Sequence, residues 1–504
     1  MNKTKFACLL LGLLFLQTVR AQQPNFLFII TDDQTYNAIH ALGNHDVHTP
    51  TLDKMVEEGV TFTHTFNQGS WSGAVCLASR CMINTGQSVF RAARNFSYLP
   101  NWGRIGGEET QVPLWGATLR QHGYETFLTG KWHLSNEAAL ESFDFAHAIG
   151  EGMYETYDEN GSNKFAYGRE KADDTSWSPW NLDYKGQWAP FVTDIVYNEN
   201  GKAKISATYT VKEHTSELYA NKAINYLLTH VKNSEKPFFM YVAFNAPHDP
   251  RQSPKEFVDM YPAQEMKIPD NYLPEHPFDQ GDKRIRDEML APFPRSKNAV
   301  QLHLREYYAI ITHADHEIGR IMKALEASGK MENTYVILTS DHGLAVGQHG
   351  LMGKQNQYDH SVRMPLMIIG PGLTPGKKID EQVYMQSMYA TSCDLAGISI
   401  PQTVDFKSLK PLLTDDNAKG EEYIFGAYKN LQRMVRSQQY KLIVYPEVAR
   451  MQLFDVKHDP LELNDLSDDP HYSEIKSKMI EKLKEQQAKF GDQLNLRTTF
   501  PAYF

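Results

Sequence analysis

The residues of this chain best suited to chemistry lie far apart in sequence. Asp32 and Asp33, Lys131, His248 and Asp341 each stand shortly after an apolar run: Asn25 to Ile30, Tyr124 to Leu128, Pro237 to Phe244 and Tyr335 to Ser340 respectively. Short continuous apolar runs are how strands buried on both faces read. In open α/β sheets, ligands bind beyond the carboxyl ends of such strands. Taken singly, Asp32 is a helix N-cap and His248 a turn residue between prolines. Taken together, acids, an ammonium and an imidazole at one sheet edge are explained by one shared site. A further candidate is Cys76-Leu77-Ala78-Ser79-Arg80, after the small, polar run Gln68 to Gly73 and before Thr85-Gly86. Alone, Cys76 reads as a small buried hydrophobe at a helix N-terminus, and five-residue patterns recur by chance.

The elements that must position these groups follow from periodicity. Thr49 to Gly59 has a capped start, helical spacing of Leu52, Met55 and Val56, and a glycine stop, and Val60 to Thr63 resumes a strand. Helices are expected at Leu114 to His122, Ser216 to Lys232 and His303 to Ser328, with a further strand at Arg363 to Gly370. A helix from about Ser79 would place Arg80 near Cys76. The alternation predicts an α/β fold with a large, mostly parallel central sheet flanked by helices. Beyond Pro401 the pattern changes to antiparallel strands at Tyr440 to Tyr445 and Met451 to Asp455, then a terminal helix at His471 to Phe490. This gives a catalytic domain over 22–400 and a smaller α+β subdomain over 401–504, divided between Ile398 and Ser408. Glu151 to Ala207 reads as a long insertion over the active face, with Tyr154, Tyr157, Trp177, Trp180, Tyr184 and Trp188; rings in such loops more often pin the loop than stack on sugars. Pro262 to Arg295 reads as a second rim loop.

Residues 1–21 read as a signal peptide: Lys3 and Lys5, an apolar run from Phe6 to Leu16 too short to span a membrane, and Val19-Arg20-Ala21 as the cleavage site. The product is expected to be exported, periplasmic or secreted, with no membrane segment. Its remaining cysteines, Cys76, Cys81 and Cys393, make no disulfide framework. The formal charge of −10 deepens by three on losing Lys3, Lys5 and Arg20, which argues against a nucleic-acid partner. A polyanionic substrate would need a local cationic pocket.

Cys76 to Gly86 resembles the signature of type I sulfatases, Cys (or Ser)-x-Pro/Ala-x-Arg with Thr-Gly a few residues on. Gly123 to His133 matches a second signature, Gly-Tyr-x-Thr-x-x-x-Gly-Lys-Trp-His, at every fixed position. Pro247-His248-Asp249-Pro250 and Asp341-His342-Gly343 also match family elements, so the resemblance covers nearly the whole mature chain. It implies the alkaline-phosphatase-like fold and conversion of Cys76 by a maturase to 3-oxoalanine (formylglycine). The hydrated aldehyde would offer two geminal hydroxyls, one to attack sulfur and one to expel sulfate afterwards. The resemblance also implies one calcium ion, held by Asp32, Asp33, Asp341, His342 and the modified Cys76; three carboxylates suit a hard cation. His342 stands where many members carry Asn, and Ala78 where many carry Pro. Carried over by position, Arg80 would hold the diol and its neighbours, Lys131 and Lys354 would neutralise the sulfate oxygens, His248 would protonate the leaving alcohol, and His133 would act as base when sulfate departs.

The expected substrate is a sulfated carbohydrate. Two other readings exist: a phosphodiesterase or phosphonate monoester hydrolase of the same superfamily, separated by comparing sulfate and phosphate esters, and a non-catalytic glycan-binding relative, separated by the mass of the Cys76 peptide. His349 is the next candidate acid by sequence should His248 not serve.

Overall fold

The run at Asn25 pleats into a strand, β1 (Asn25–Thr31), every residue of which is buried. Phe26, Phe28 and Ile30 enter one apolar cluster and Leu27 and Ile29 another, because alternate side chains leave opposite faces of a strand. Each fully buried side chain of this size contributes about 1.5–3 kcal/mol. A computed structural model describes residues 23–97, 104–105, 112–150, 169, 178–182 and 186–504. The proposed signal peptide, and Tyr154, Tyr157, Trp177 and Tyr184, lie outside the described residues.

Nine further strands complete the principal sheet: β2 (Val60–Phe66), β3 (Glu125–Lys131), β4 (Phe145–Gly150), β5 (Phe191–Thr193), β6 (Tyr209–Thr210), β7 (Phe238–Ala243), β8 (Thr334–Ser340), β9 (Arg363–Ile369) and β10 (Lys378–Tyr384). Their order is β6-β5-β4-β3-β7-β1-β8-β9-β2-β10. The centre, β4-β3-β7-β1-β8, is parallel throughout, whereas β5 and β9 run against their neighbours. On one face lie α1 (Pro50–Glu58), α4 (Thr215–Thr229) and α5 (Lys297–Ala327), packing Leu52, Ala223 and Ile321 against Leu27, Ile29 and Val336. On the other lie α2 (Val75–Thr85) and α3 (Trp115–Gln121), where Trp115 meets Phe28 edge-on at 4.9 Å. The sheet is thus buried on both faces, as a parallel arrangement requires. Among the described residues no helix is long and apolar enough to cross a membrane.

A second sheet holds β11 (Ile424–Tyr428), β12 (Gln432–Arg436), β13 (Tyr440–Tyr445) and β14 (Arg450–Asp455), antiparallel, with α6 (Ser473–Phe490) against it. Its last strand is Gly69–Ser70, parallel to β11. The segment leading to Cys76 is therefore stitched into the second sheet, which the sequence pattern did not announce.

Several local expectations change. The helix around Cys76 begins at Val75 rather than near Ser79. Thr49 makes no side-chain cap; its hydroxyl donates to Asp53, and the amides of Thr51 and Leu52 are satisfied by Asp315 of α5, at 3.0 and 2.8 Å. Helix α5 starts at Lys297, six residues before His303, because Ser296 accepts from the Ala299 amide. Lys131 ends β3 instead of following it. Part of the expected insertion supplies β5, and the edge strand β6 follows just beyond its end. Its two described tryptophans pin it: the Trp188 indole donates to the Pro179 carbonyl at 2.9 Å, and Trp180 lies beneath Lys255 at 5.4 Å.

Candidate active site

The loops after β1, β7 and β8 are tied together before any side chain acts. The Asp32 amide donates to the Ala246 carbonyl at 3.0 Å, and that of Asp341 to Thr31 at 3.1 Å. The Gln34 amide donates to the Ser340 hydroxyl at 2.9 Å. At the end of β3, Gly130 has φ +95°, and a Cβ there would stand 1.9 Å from the Ala243 carbonyl oxygen, so only glycine lets the strands run this close to Lys131. Asp33 (φ 75°) and His133 (φ 60°) adopt the left-handed region that non-glycine residues avoid, the kind of strain that persists where surroundings over-determine a site.

Six sequence-predicted groups, Asp32, Asp33, His248, Asp341, His342 and Lys354, converge on Cys76. Its Sγ lies 3.3 Å from Asp32 Oδ1, 3.2 Å from His342 Nε2 and 3.3 Å from Lys354 Nζ. Ligand atoms of Asp32, Cys76, Asp341 and His342 all lie within 4.8 Å of one another, as do those of Asp32, Asp33, Cys76 and His248. His342 Nδ1 donates to the Gly343 carbonyl at 3.0 Å, leaving the Nε2 lone pair facing Asp33, Asp341 and Cys76. That tautomer is the one a metal-binding imidazole needs. Three buried carboxylates with one such imidazole form an oxygen-rich donor set that fits a divalent cation.

Arg80 is buried one turn beyond Cys76 on α2. Its fork grips Asp341 (Nε, 3.2 Å), Asp32 (Nη2, 3.3 Å) and the Lys131 carbonyl (Nη1, 2.6 Å). It therefore orients the acids rather than pointing all its donors at residue 76. Lys131 Nζ pairs with Asp32, and Lys354 Nζ holds Asp33 at 2.7 and 2.9 Å. Asn67, which no sequence signal marked, braces the cluster by donating to Ser79 Oγ at 2.8 Å and to the Asp341 carbonyl.

Burial dominates the electrostatics. It pushes Asp32 up, but the charges of Lys131 and Arg80 hold that carboxyl well below the usual range. Asp33 is pushed well above it, by burial and by the charges of Asp32 and Asp341, with Lys354 only partly compensating. Burial and Asp32 push the Cys76 thiol up, so residue 76 as cysteine stays un-ionised and unreactive. Burial, with Lys131 and Arg80, keeps His133 neutral, and burial, with Lys354 and Lys131, does the same for His248.

On the rim, His248 Nδ1 donates to the Asp249 carbonyl at 2.6 Å, and Nε2 faces Arg286 Nη2 at 3.5 Å. Arg286 clamps the Asp249 carboxylate with both Nη atoms and pairs with Asp287, itself 3.8 Å from Lys354 Nζ. Arg286 and Asp287 were missed because they fall in an aperiodic charged stretch; only the neighbourhood of His248 hinted at Asp249. His349 stacks on Tyr358 at 4.0 Å and donates to the Glu462 carbonyl, engaged against the second sheet.

Comparison with known proteins agrees with this geometry. The Sulfatase family matches residues 24–398, and the family of N-sulphoglucosamine sulphohydrolase C-terminal regions matches 347–489. An arylsulfatase of Clostridium perfringens is 28% identical over 495 residues, covering 95% of this chain and 98% of that protein. An N-acetylglucosamine-6-O-sulfatase of Bacteroides thetaiotaomicron is 25% identical, over 94% of this chain and 88% of its own length. A solved structure of BT4656 in complex with its substrate D-glucosamine-2-N,6-O-disulfate superposes with a TM-score of 0.71 at 22% identity, covering 94% of this chain and 99% of that one. With the family match spanning most of its length and a buried cysteine at the meeting point of acids, lysines and imidazoles, the chain belongs to the sulfatase family and is a sulfuric ester hydrolase.

Proposed function

We propose that the enzyme hydrolyses O-sulfate esters of a carbohydrate, using formylglycine made from Cys76 by a maturase. A calcium ion would be held by Asp32, Asp33, Asp341, His342 and the modified residue 76, on a catalytic unit spanning 22–400 with 401–504 as its companion. The observation that carries this reading is the position of Cys76 Sγ within 3.3 Å of an acid, an imidazole and an ammonium, while burial denies it the thiolate that a cysteine nucleophile needs. Relatives named for N-acetylglucosamine-6-O-sulfate and for a glucosamine disulfate support a sugar as the leaving alcohol. The expected signal peptide supports export to the periplasm or beyond.

The hydrated aldehyde would supply two geminal hydroxyls, and the cation held by Asp32, Asp33, Asp341 and His342 would supply polarisation of a sulfate oxygen. The chain's own residues do the rest. Lys131 and Lys354 meet the remaining sulfate charge as point cations. Arg80 keeps Asp32 and Asp341 aimed at residue 76. His133, neutral in its buried place, takes the proton of the second hydroxyl. His248 lies beside both lysines; an incoming sulfate offsets their charge, favours the imidazolium and lets it protonate the leaving oxygen. His349, engaged with Tyr358 and Glu462, is no substitute for it.

The test is a peptide mass over Cys76 combined with turnover of sulfated and phosphorylated sugars. Formylglycine mass with sulfate release is expected. Full activity from protein retaining the thiol would overturn the conversion, and preference for the phosphate ester would overturn the reaction class.

A further inference from the structure

Resting on that reading, we propose that Arg286, Asp287 and Glu288 form a strap that positions the proton-donating side of the site against the sulfate-holding side. The three residues are consecutive and join two loops: Arg286 holds the one that carries His248, and Asp287 and Glu288 hold the one that carries Lys354. Arg286 clamps Asp249, whose backbone carbonyl receives His248 Nδ1. Asp287 accepts from Gln355 Nε2 at 2.8 Å and lies 3.8 Å from Lys354 Nζ. Glu288 accepts the amides of Met352 and Gly353 at 3.0 and 2.8 Å, which fixes the backbone leading into Lys354. Gln355 in turn donates to the Gly73 carbonyl at 3.3 Å, so the chain of contacts reaches the loop before Cys76.

Two features set this apart from a surface ion-pair cluster. Asp249, Asp287 and Glu288 are 7%, 3% and 5% exposed, so solvent does little to weaken their pairs. Gly353 is also shaped for the strap: a Cβ there would stand 2.9 Å from Asp287 Cβ, 2.9 Å from Glu288 Oε1 and 2.6 Å from Gln355 Oε1. The approach is therefore close along the backbone as well as between charges. Because Arg286 carries its charge between two carboxylates, it is a positioning residue, not a further anion site. Its bidentate fork fixes direction as well as distance, which a lysine could not do.

The two ends of the strap predict different kinetics. Arg286→Ala releases the Asp249 loop and so the imidazole: kcat on a sulfated sugar is expected to fall about a hundredfold, at the lower end of general-acid effects, with kcat on a nitrophenyl sulfate little changed. Arg286→Lys, a milder change, moves both values in the same direction by less. Asp287→Asn loosens Lys354: KM is expected to rise for both substrates and inorganic sulfate to inhibit several-fold less. Hydrogen exchange reads the strap whether or not an ester is turned over. The His248 amide should exchange about tenfold faster in Arg286→Ala, as local opening becomes easier. Equal kcat losses on the two substrates with unchanged exchange would overturn the proposal. A formylglycine-bearing wild type that cleaves no sulfate ester would instead overturn the functional reading, and the exchange result would still decide the strap.

Discussion

The floor of the site and its rim are built by different means. The floor, Asp32 to Gln34 with Ser340 to His342, has its backbone placed by amide hydrogen bonds from neighbouring parallel strands, and Arg80, Lys131 and Lys354 pair with its acids on that frame. The rim, His248 and Asp249 with Arg286 to Glu288, is held by ion pairs between loops that are remote in sequence. Backbone ties are fixed by the register of the sheet and tolerate side-chain change. Charge ties depend on each partner, and an unpaired buried partner costs several kcal/mol. On the proposed reading the floor meets what every sulfate ester has in common, and the rim meets what differs between substrates, namely the leaving group.

The sharpest way to break that division is at Cys76. On the proposed reading Cys76→Ala removes the attacking group, and turnover of a sulfated sugar and of an activated aryl sulfate should both fall by on the order of 10⁶, the scale known for loss of a nucleophile. The fold should survive, since Cys76 is a small residue on a helix otherwise held by its apolar neighbours, and an unchanged melting temperature checks this. Selective loss on one substrate would contradict a shared floor.

His248 is the complementary test on the rim. A sugar alkoxide needs a proton to leave, whereas a nitrophenolate does not, so His248→Ala should cost about 10² to 10⁴ on the sulfated sugar and far less on the aryl ester. Lys354→Ala should harm both, because both present the same sulfate oxygens. Equal losses for His248→Ala would remove the proton-donor role while leaving the enzyme a sulfatase.

Removing the cation should resemble a floor lesion. Chelation is expected to lower turnover of both substrates about a hundredfold, consistent with several kcal/mol of charge stabilisation. It should also lower the melting temperature, since an ion at a hundred times its Kd stabilises by about 2.7 kcal/mol. Calcium should restore both properties. Restoration by zinc alone would reassign the metal, and His342 is the ligand that would make zinc chemically reasonable.

The same contrast explains what could be read from sequence. β1, β3, β7 and β8 announce themselves by apolar runs, and the floor residues follow from being next to them. Lys131 was misplaced by one element only because β3 continues through Gly130, whose close approach to Ala243 no local pattern shows. Residues such as Arg286 and Asp287 gave no signal, since their partners lie tens of residues away and loop charges have no period. Gly69–Ser70 and the edge strands β5 and β6 escaped notice because two or three residues are too short for alternation to register. Thr49 gave the opposite error: a good capping residue stood in the right place, but a buried carboxylate from another helix took the work.

That carboxylate, Asp315, gives the smallest effect, and it serves as a control because it belongs to neither floor nor rim. It accepts the Thr51 and Leu52 amides, yet burial pushes its pKa up to about 7 in spite of those hydrogen bonds. In the unfolded chain an aspartate titrates near 3.9, so the native state binds the proton more tightly. Its contribution to stability is then complete below about pH 4 and is lost as pH rises through about 7. Asp315→Asn cannot ionise and keeps an acceptor for only one of the two amides. The variant should therefore show a flatter dependence of stability on pH between about 4 and 7, with a loss of about 1 kcal/mol below pH 4, where neither side chain is charged, the size of a capping effect. Urea midpoints at pH 5 and pH 8 for both proteins measure this, with the wild type expected to weaken more on going to pH 8. The ratio of sugar-sulfate to aryl-sulfate turnover should not move. A parallel pH dependence in the two proteins would mean that Asp315 is ionised throughout and that the two amides outweigh its burial.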